Sequence, residues 1–120
     1  MGWGGIDTRR GARVVFECVV IVKKKETSLV FRTQTENIST GGICVILEKG
    51  LLRNTPVDVE IFLADDPVPL ACGGKVAWVM RRNEYAKKKP SQFDTGIEFT
   101  DITDEDKGRI KRIIEELLEY

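Results

Sequence analysis

Val57-Asp58-Val59-Glu60-Ile61-Phe62 alternates with a strict period of two. Successive side chains on a strand point to opposite faces, so this run predicts a strand with one face on a core and one in water. Punctuation surrounds it: Lys49-Gly50 and Asn54-Thr55-Pro56 precede it, and Asp65-Asp66-Pro67 makes a turn after it. Working outward, residues 12–22 have the Val, Ile, Phe and Cys content of a long strand. Lys23 to Ser28 then reads as a solvated turn. Residues 29–36 read as a half-buried return strand and 43–47 as a short apolar strand. Residues 70–80 predict a fifth strand, in which Gly73-Gly74 marks a bulge or a close backbone approach. Residues 82–92 are polar and basic and contain Pro90, as in an exposed loop, and 93–99 form the last strand. Six strands with turns at short intervals, and no alternation with helices, predict an antiparallel barrel.

One helix closes the chain. Thr103 with Asp106 three residues on forms a capping-box-like start, and Asp104 and Glu105 suit the positive end of a helix. Ile110, Ile113, Ile114, Leu117 and Leu118 share one stripe, which needs a partner surface on the barrel. Gly108 costs this helix about 1 kcal/mol relative to alanine. The fold class is mainly β, a six-stranded antiparallel barrel with one C-terminal α-helix. Residues 1–8 form a flexible tail and 9–120 a single domain, with the barrel to about 102 and the helix over about 103–119.

The 120 residues carry 19 Lys plus Arg against 19 Asp plus Glu, so no global field steers the protein to nucleic acid or acidic lipid. Cys18, Cys44 and Cys72 are widely spaced and histidine is missing, which argues against a structural zinc site and for free thiols in a reducing cytosol. There is no secretory signal and no run approaching a membrane span, and Ile6 stands where a myristoylation signal carries Ser or Thr. The reading is cytoplasmic. No Ser, Cys or Lys lies beside an identifiable base, so the chain is read as a non-enzyme with neither cofactor nor metal.

Two polar signatures remain. Arg9, Arg10 and Arg13 stand at the head of the first strand, and their guanidinium forks can pair bidentately with phosphate or with the guanine O6/N7 edge. Solvated surface charge is the plainer alternative. Asn37-Ile38-Ser39-Thr40-Gly41-Gly42 supplies an amide, a hydroxyl and two glycines, and a structural turn explains it equally well. Trp78 and Phe62 fall in apolar strand periods and are read as core. Arg81, Arg82 and Lys87 to Lys89 read as a solvated basic loop, with a partner surface or the border of a ligand site as the alternatives.

Taken together, Arg9-x-x-x-Arg13 followed by Asn37-x-Ser39-x-x-Gly42 resembles the paired signature of PilZ domains. Gly74-Lys75-Val76-Ala77-Trp78, Gly96-Ile97-Glu98-Phe99 and the closing helix extend the likeness from residue 9 to the C-terminus. The resemblance implies a six-stranded barrel that acts as a bacterial receptor for the second messenger cyclic di-GMP (c-di-GMP). It implies that Arg9 and Arg13 grip guanine edges and phosphates, with Arg10 as an added stacking or phosphate contact. It implies that Asn37 and Ser39 hydrogen-bond a guanine and its neighbours, and that Gly42 leaves the barrel surface open beneath the ligand. The family takes Asp or Asn at the Asn37 position, and the neutral amide lacks the charge assistance of a carboxylate. Such a receptor signals to a downstream protein partner. The rivals are a structural adaptor of the same fold that binds no nucleotide and a small nucleic-acid-binding barrel.

Overall fold

A computed structural model describes residues 18–63, 67–82 and 92–118. It contains β1 (Val19–Lys24), β2 (Val30–Ser39), β3 (Gly42–Leu47), β4 (Pro56–Phe62), β5 (Leu70–Arg81), β6 (Phe93–Phe99) and α1 (Asp104–Leu118). The strands close into a barrel in the order β1-β2-β3-β6-β5-β4, and every neighbouring pair is antiparallel. The predicted six-stranded barrel with one C-terminal helix is therefore the fold. Residues 12–17, the Asp65-Asp66 turn and most of the basic loop lie outside the described residues.

Strand β4 follows its alternation to the letter: Val57, Val59 and Ile61 are buried, and Pro56, Asp58, Glu60 and Phe62 are exposed. Phe62 is thus not core. It shares the outward phase of Asp58 and Glu60 and stands 37% exposed. Across the barrel, the rung Ile38–Ile43–Ile97–Val76 points inward, with each member no more than 2% exposed. The rungs above and below it point outward and carry the candidate site.

Two bulges interrupt the ladders, between Thr35 and Asn37 in β2 and between Val76 and Trp78 in β5. The glycine pair in β5 serves close approach instead. A Cβ on Gly74 would stand 2.8 Å from the Glu98 carbonyl oxygen and 2.9 Å from Ile97 Cγ2. Pairing of β2 with β3 stops at Thr35 and Val45. Beyond that point Thr33 Oγ1 donates to the Ile46 carbonyl at 2.6 Å, where a ladder bond would otherwise fall. A groove of about 410 Å³ opens there, floored by Phe31, Thr33 and Leu47 and edged by Arg32, Gln34 and Glu48.

The helix begins as predicted. The Asp106 N–H donates to Thr103 Oγ1 at 3.1 Å, and the Lys107 N–H donates to the Thr103 carbonyl at 2.9 Å. Ile110 and Ile114 join the barrel core and Ile113 packs on it, whereas Leu117 and Leu118 are 37% and 45% exposed. Only the first two turns of the stripe are seated. Arg109 is buried beside them, donating to the Val68 carbonyl at 3.0 Å and lying 3.8 Å from Asp106. It ties α1 to the segment before β5. Thr103→Ala removes the N-cap acceptor, so thermal melting should show a loss of about 1 kcal/mol with the fold intact.

Candidate functional site

The motif expected as a turn is mostly strand. Asn37, Ile38 and Ser39 end β2, Gly42 begins β3, and only Thr40 and Gly41 make the turn. Ladder pairing therefore fixes where these side chains point. Ser39–Gly42–Glu98–Lys75 form one outward rung and Asn37–Cys44–Gly96–Trp78 the next. Three of the six candidate residues, Asn37, Ser39 and Gly42, are thus gathered on one outer face spanning β2, β3 and β6. Arg9, Arg10 and Arg13 lie outside the described residues.

Each member of this face has a local role. Ser39, 6% exposed, accepts from the Gly41 N–H at 3.2 Å and donates to the Gly42 carbonyl at 3.4 Å. Its hydroxyl holds the tight turn. Asn37 is half-buried, and its carbonyl accepts from Thr35 Oγ1 at 2.7 Å across the bulge. The same hydroxyl also reaches the Cys44 carbonyl at 3.1 Å. Gly42 is required by its neighbour strand: a Cβ there would stand 2.3 Å from the Ile97 carbonyl oxygen. Its lack of a side chain is a packing necessity before it is a matter of ligand access.

Trp78 is not core either. The bulge at Ala77 turns it outward, and its indole lies against Gly96, where a Cβ would come within 2.3 Å of the ring. Gly42 and the buried Cys44 add no bulk to the middle of this face, and the Trp78 indole covers Gly96. The Lys75–Glu98 pair at 3.8 Å edges it, and both partners are about half exposed, so the pair adds little stability. Sequence reading placed Trp78 in the core because the apolar run gives no sign of the phase change at Ala77. The glycine opposite it, Gly96, is the one signal that a ring needs room.

A PilZ-domain family model matches residues 7–116. The chain belongs to the PilZ family. Solved structures with the same fold include the Bacillus subtilis inhibitor of motility MotI/DgrA, at 21% identity and TM-score 0.72, covering 96% of this chain and 54% of that one. The PilZ domain of Escherichia coli YcgR, solved with c-di-GMP, is 16% identical at TM-score 0.71, covering 93% and 92%. The K. pneumonia MrkH–c-di-GMP complex is 16% identical at TM-score 0.73, covering 94% and 52%. The chain thus spans about half the length of MotI and MrkH. No curated protein matches it by sequence.

This PilZ domain offers little reactive chemistry among its described residues. Burial pushes the Cys18 thiol up to about 11. Burial, with the Asp101 and Asp106 carboxylates adding to it, pushes Cys72 to about 12. Both are protonated at neutral pH and are poor nucleophiles. Iodoacetamide should label them more slowly than a free thiol at pH 8. The folded chain keeps these protons to about pH 11 at Cys18 and about 12 at Cys72 while the unfolded chain releases them near 9.0, so stability present below pH 9 is lost as pH rises through 11 to 12. Among the described residues no group of three His, Cys, Asp or Glu could hold a metal, and no helix is long and apolar enough to cross a membrane.

Proposed function

We infer that this PilZ domain is a cytoplasmic, non-enzymatic receptor for cyclic di-GMP that passes the signal on through an altered protein–protein contact. The carrying observation is where the outer face lies. The Cys18 carbonyl accepts from the Thr35 N–H at 3.1 Å, so the chain enters β1 at the end of β2 that bears Asn37 and Ser39. Arg13 is five Cα steps from Cys18 along the chain, a span of at most about 18 Å. A tether of that length allows Arg13 to reach the face, and the corresponding bound for Arg9 is about 32 Å.

The chemistry fits a ligand with two phosphates and two guanines. Arg9 and Arg13 supply bidentate forks for phosphate and the guanine O6/N7 edge, and Arg10 a further stacking or phosphate contact. The Asn37 amide pairs with a guanine edge. A hydroxyl has one donor and two acceptor lone pairs. Ser39 already uses the donor and one acceptor within the turn, so it meets the ligand as an acceptor, facing guanine N–H rather than phosphate. The small residues Gly42 and Cys44 add no bulk beneath the ring. Isothermal titration with cyclic di-GMP should give saturable binding, and a flat thermogram at tens of micromolar protein rejects the reading.

The adaptor reading keeps one specific support: Ser39 and Gly42 both have structural reasons to be there. A flat titration favours it. The nucleic-acid barrel would require steeply salt-dependent oligonucleotide binding, which the balanced charge disfavours.

A further inference from the structure

From Val19 to Val22, strand β1 is apolar on both faces. Val20 and Val22 fill the core, and the outward positions Val19 and Ile21 are also apolar, although the neighbouring β4 keeps Asp58 and Glu60 outside. The outer surface of β4-β1-β2 therefore carries a central apolar column with Phe62, 37% exposed, and Val30, 53% exposed, at its corners. Charges flank the column asymmetrically. Ile21 has Glu60 beside it on β4 and Arg32 beside it on β2, each one strand spacing of about 4.8 Å away. Among the described residues neither charge closes an ion pair.

A negative and a positive side chain placed symmetrically about an apolar centre form a self-complementary pattern. We propose that this face is the interface of a homodimer, with a two-fold axis running along β1. That operation crosses β1 over its copy at Ile21, stacks Ile21 on Ile21, and sets each Glu60 opposite the other chain's Arg32. Phe62 then covers the aliphatic stem of Gln34 across the interface. Sheets packed face to face cross at about 30°, so the axis passes over Ile21 about 15° off the β1 direction, and the Val19 and Lys23 pairs on either side of it are offset by equal amounts. A partner of another kind would not need the alternating signs to be centred on one residue; a second copy does. The face lies on the β1, β2 and β4 side and does not include the Asn37 rung, so this proposal is independent of ligand binding.

Sedimentation equilibrium of the 120-residue chain from micromolar to hundreds of micromolar tests it, with circular dichroism as the check on folding. The parent chain should dimerise. Glu60→Arg and Arg32→Glu should each weaken dimerisation roughly hundredfold, because each sets like charges together twice. The double reversal should restore it. A parent that stays monomeric throughout, or folded single reversals that dimerise like the parent, overturns the proposal, as does a double reversal that fails to recover.

Discussion

Arg13→Ala should lower cyclic di-GMP affinity about a hundredfold, some 3 kcal/mol, with the far-UV circular dichroism spectrum unchanged. Arg9→Ala should behave alike. A guanidinium fork that pairs bidentately with a phosphate or a guanine edge forms two charge-assisted bonds in a fixed plane, which alanine cannot replace. Folding should be spared, since the buried core cluster runs from Val20 to Ile114. Arg13→Lys separates geometry from charge: it keeps the cation, loses the planar fork, and should recover only part of the affinity. Asn37→Asp should act in the opposite direction, because a carboxylate gives guanine N–H donors a charged acceptor. Calorimetry on these variants, with circular dichroism in parallel, decides the site. Parental binding by both arginine variants would remove the arm from it.

Gly42→Ala should destabilise the barrel by about 3 kcal/mol, enough to be plain in a urea melt. The added methyl would stand 2.3 Å from the Ile97 carbonyl oxygen, a backbone atom on β6 that cannot move without breaking the β3–β6 ladder. Gly96→Ala is the informative partner. Its methyl would meet the Trp78 ring at the same 2.3 Å, but that ring lies on the partly open outer face and can swing aside. We expect about 1 kcal/mol there, with a changed tryptophan emission. Equal losses at the two positions would mean that the Trp78 ring is held as firmly as a backbone.

What the sequence made legible followed from period. The strict alternation in β4 and the Thr103 cap with its isoleucine stripe predicted a strand and a helix that the fold contains. Errors came where composition and phase disagreed. Phe62 is apolar in type but sits in the phase of Asp58 and Glu60, and phase prevailed. Trp78 lost its expected phase to a bulge at Ala77 that no glycine marks, whereas Gly73-Gly74, read as a bulge or a close backbone approach, gives the close approach at Gly74. Asn37 and Ser39 favour turns in isolation, but a hairpin needs only Thr40 and Gly41, and cross-strand pairing claimed the rest. The seating of Arg109 was invisible because it depends on Val68, far away in the chain. Of the candidate site, the amide–hydroxyl–glycine half can be placed on a face, and the arginine half lies outside the described residues.

The early end of the β2–β3 ladder should have a dynamic counterpart. The Thr35 N–H and the Leu29 carbonyl both bond toward β1, so by strand alternation the amides of Val30, Arg32 and Gln34 turn the other way, into the gap. Those protons should exchange with deuterium far sooner than those of Phe31 and Thr33 between them. The barrel thus behaves less as a sealed ring than as a clasp, and thermal breathing should begin at this seam.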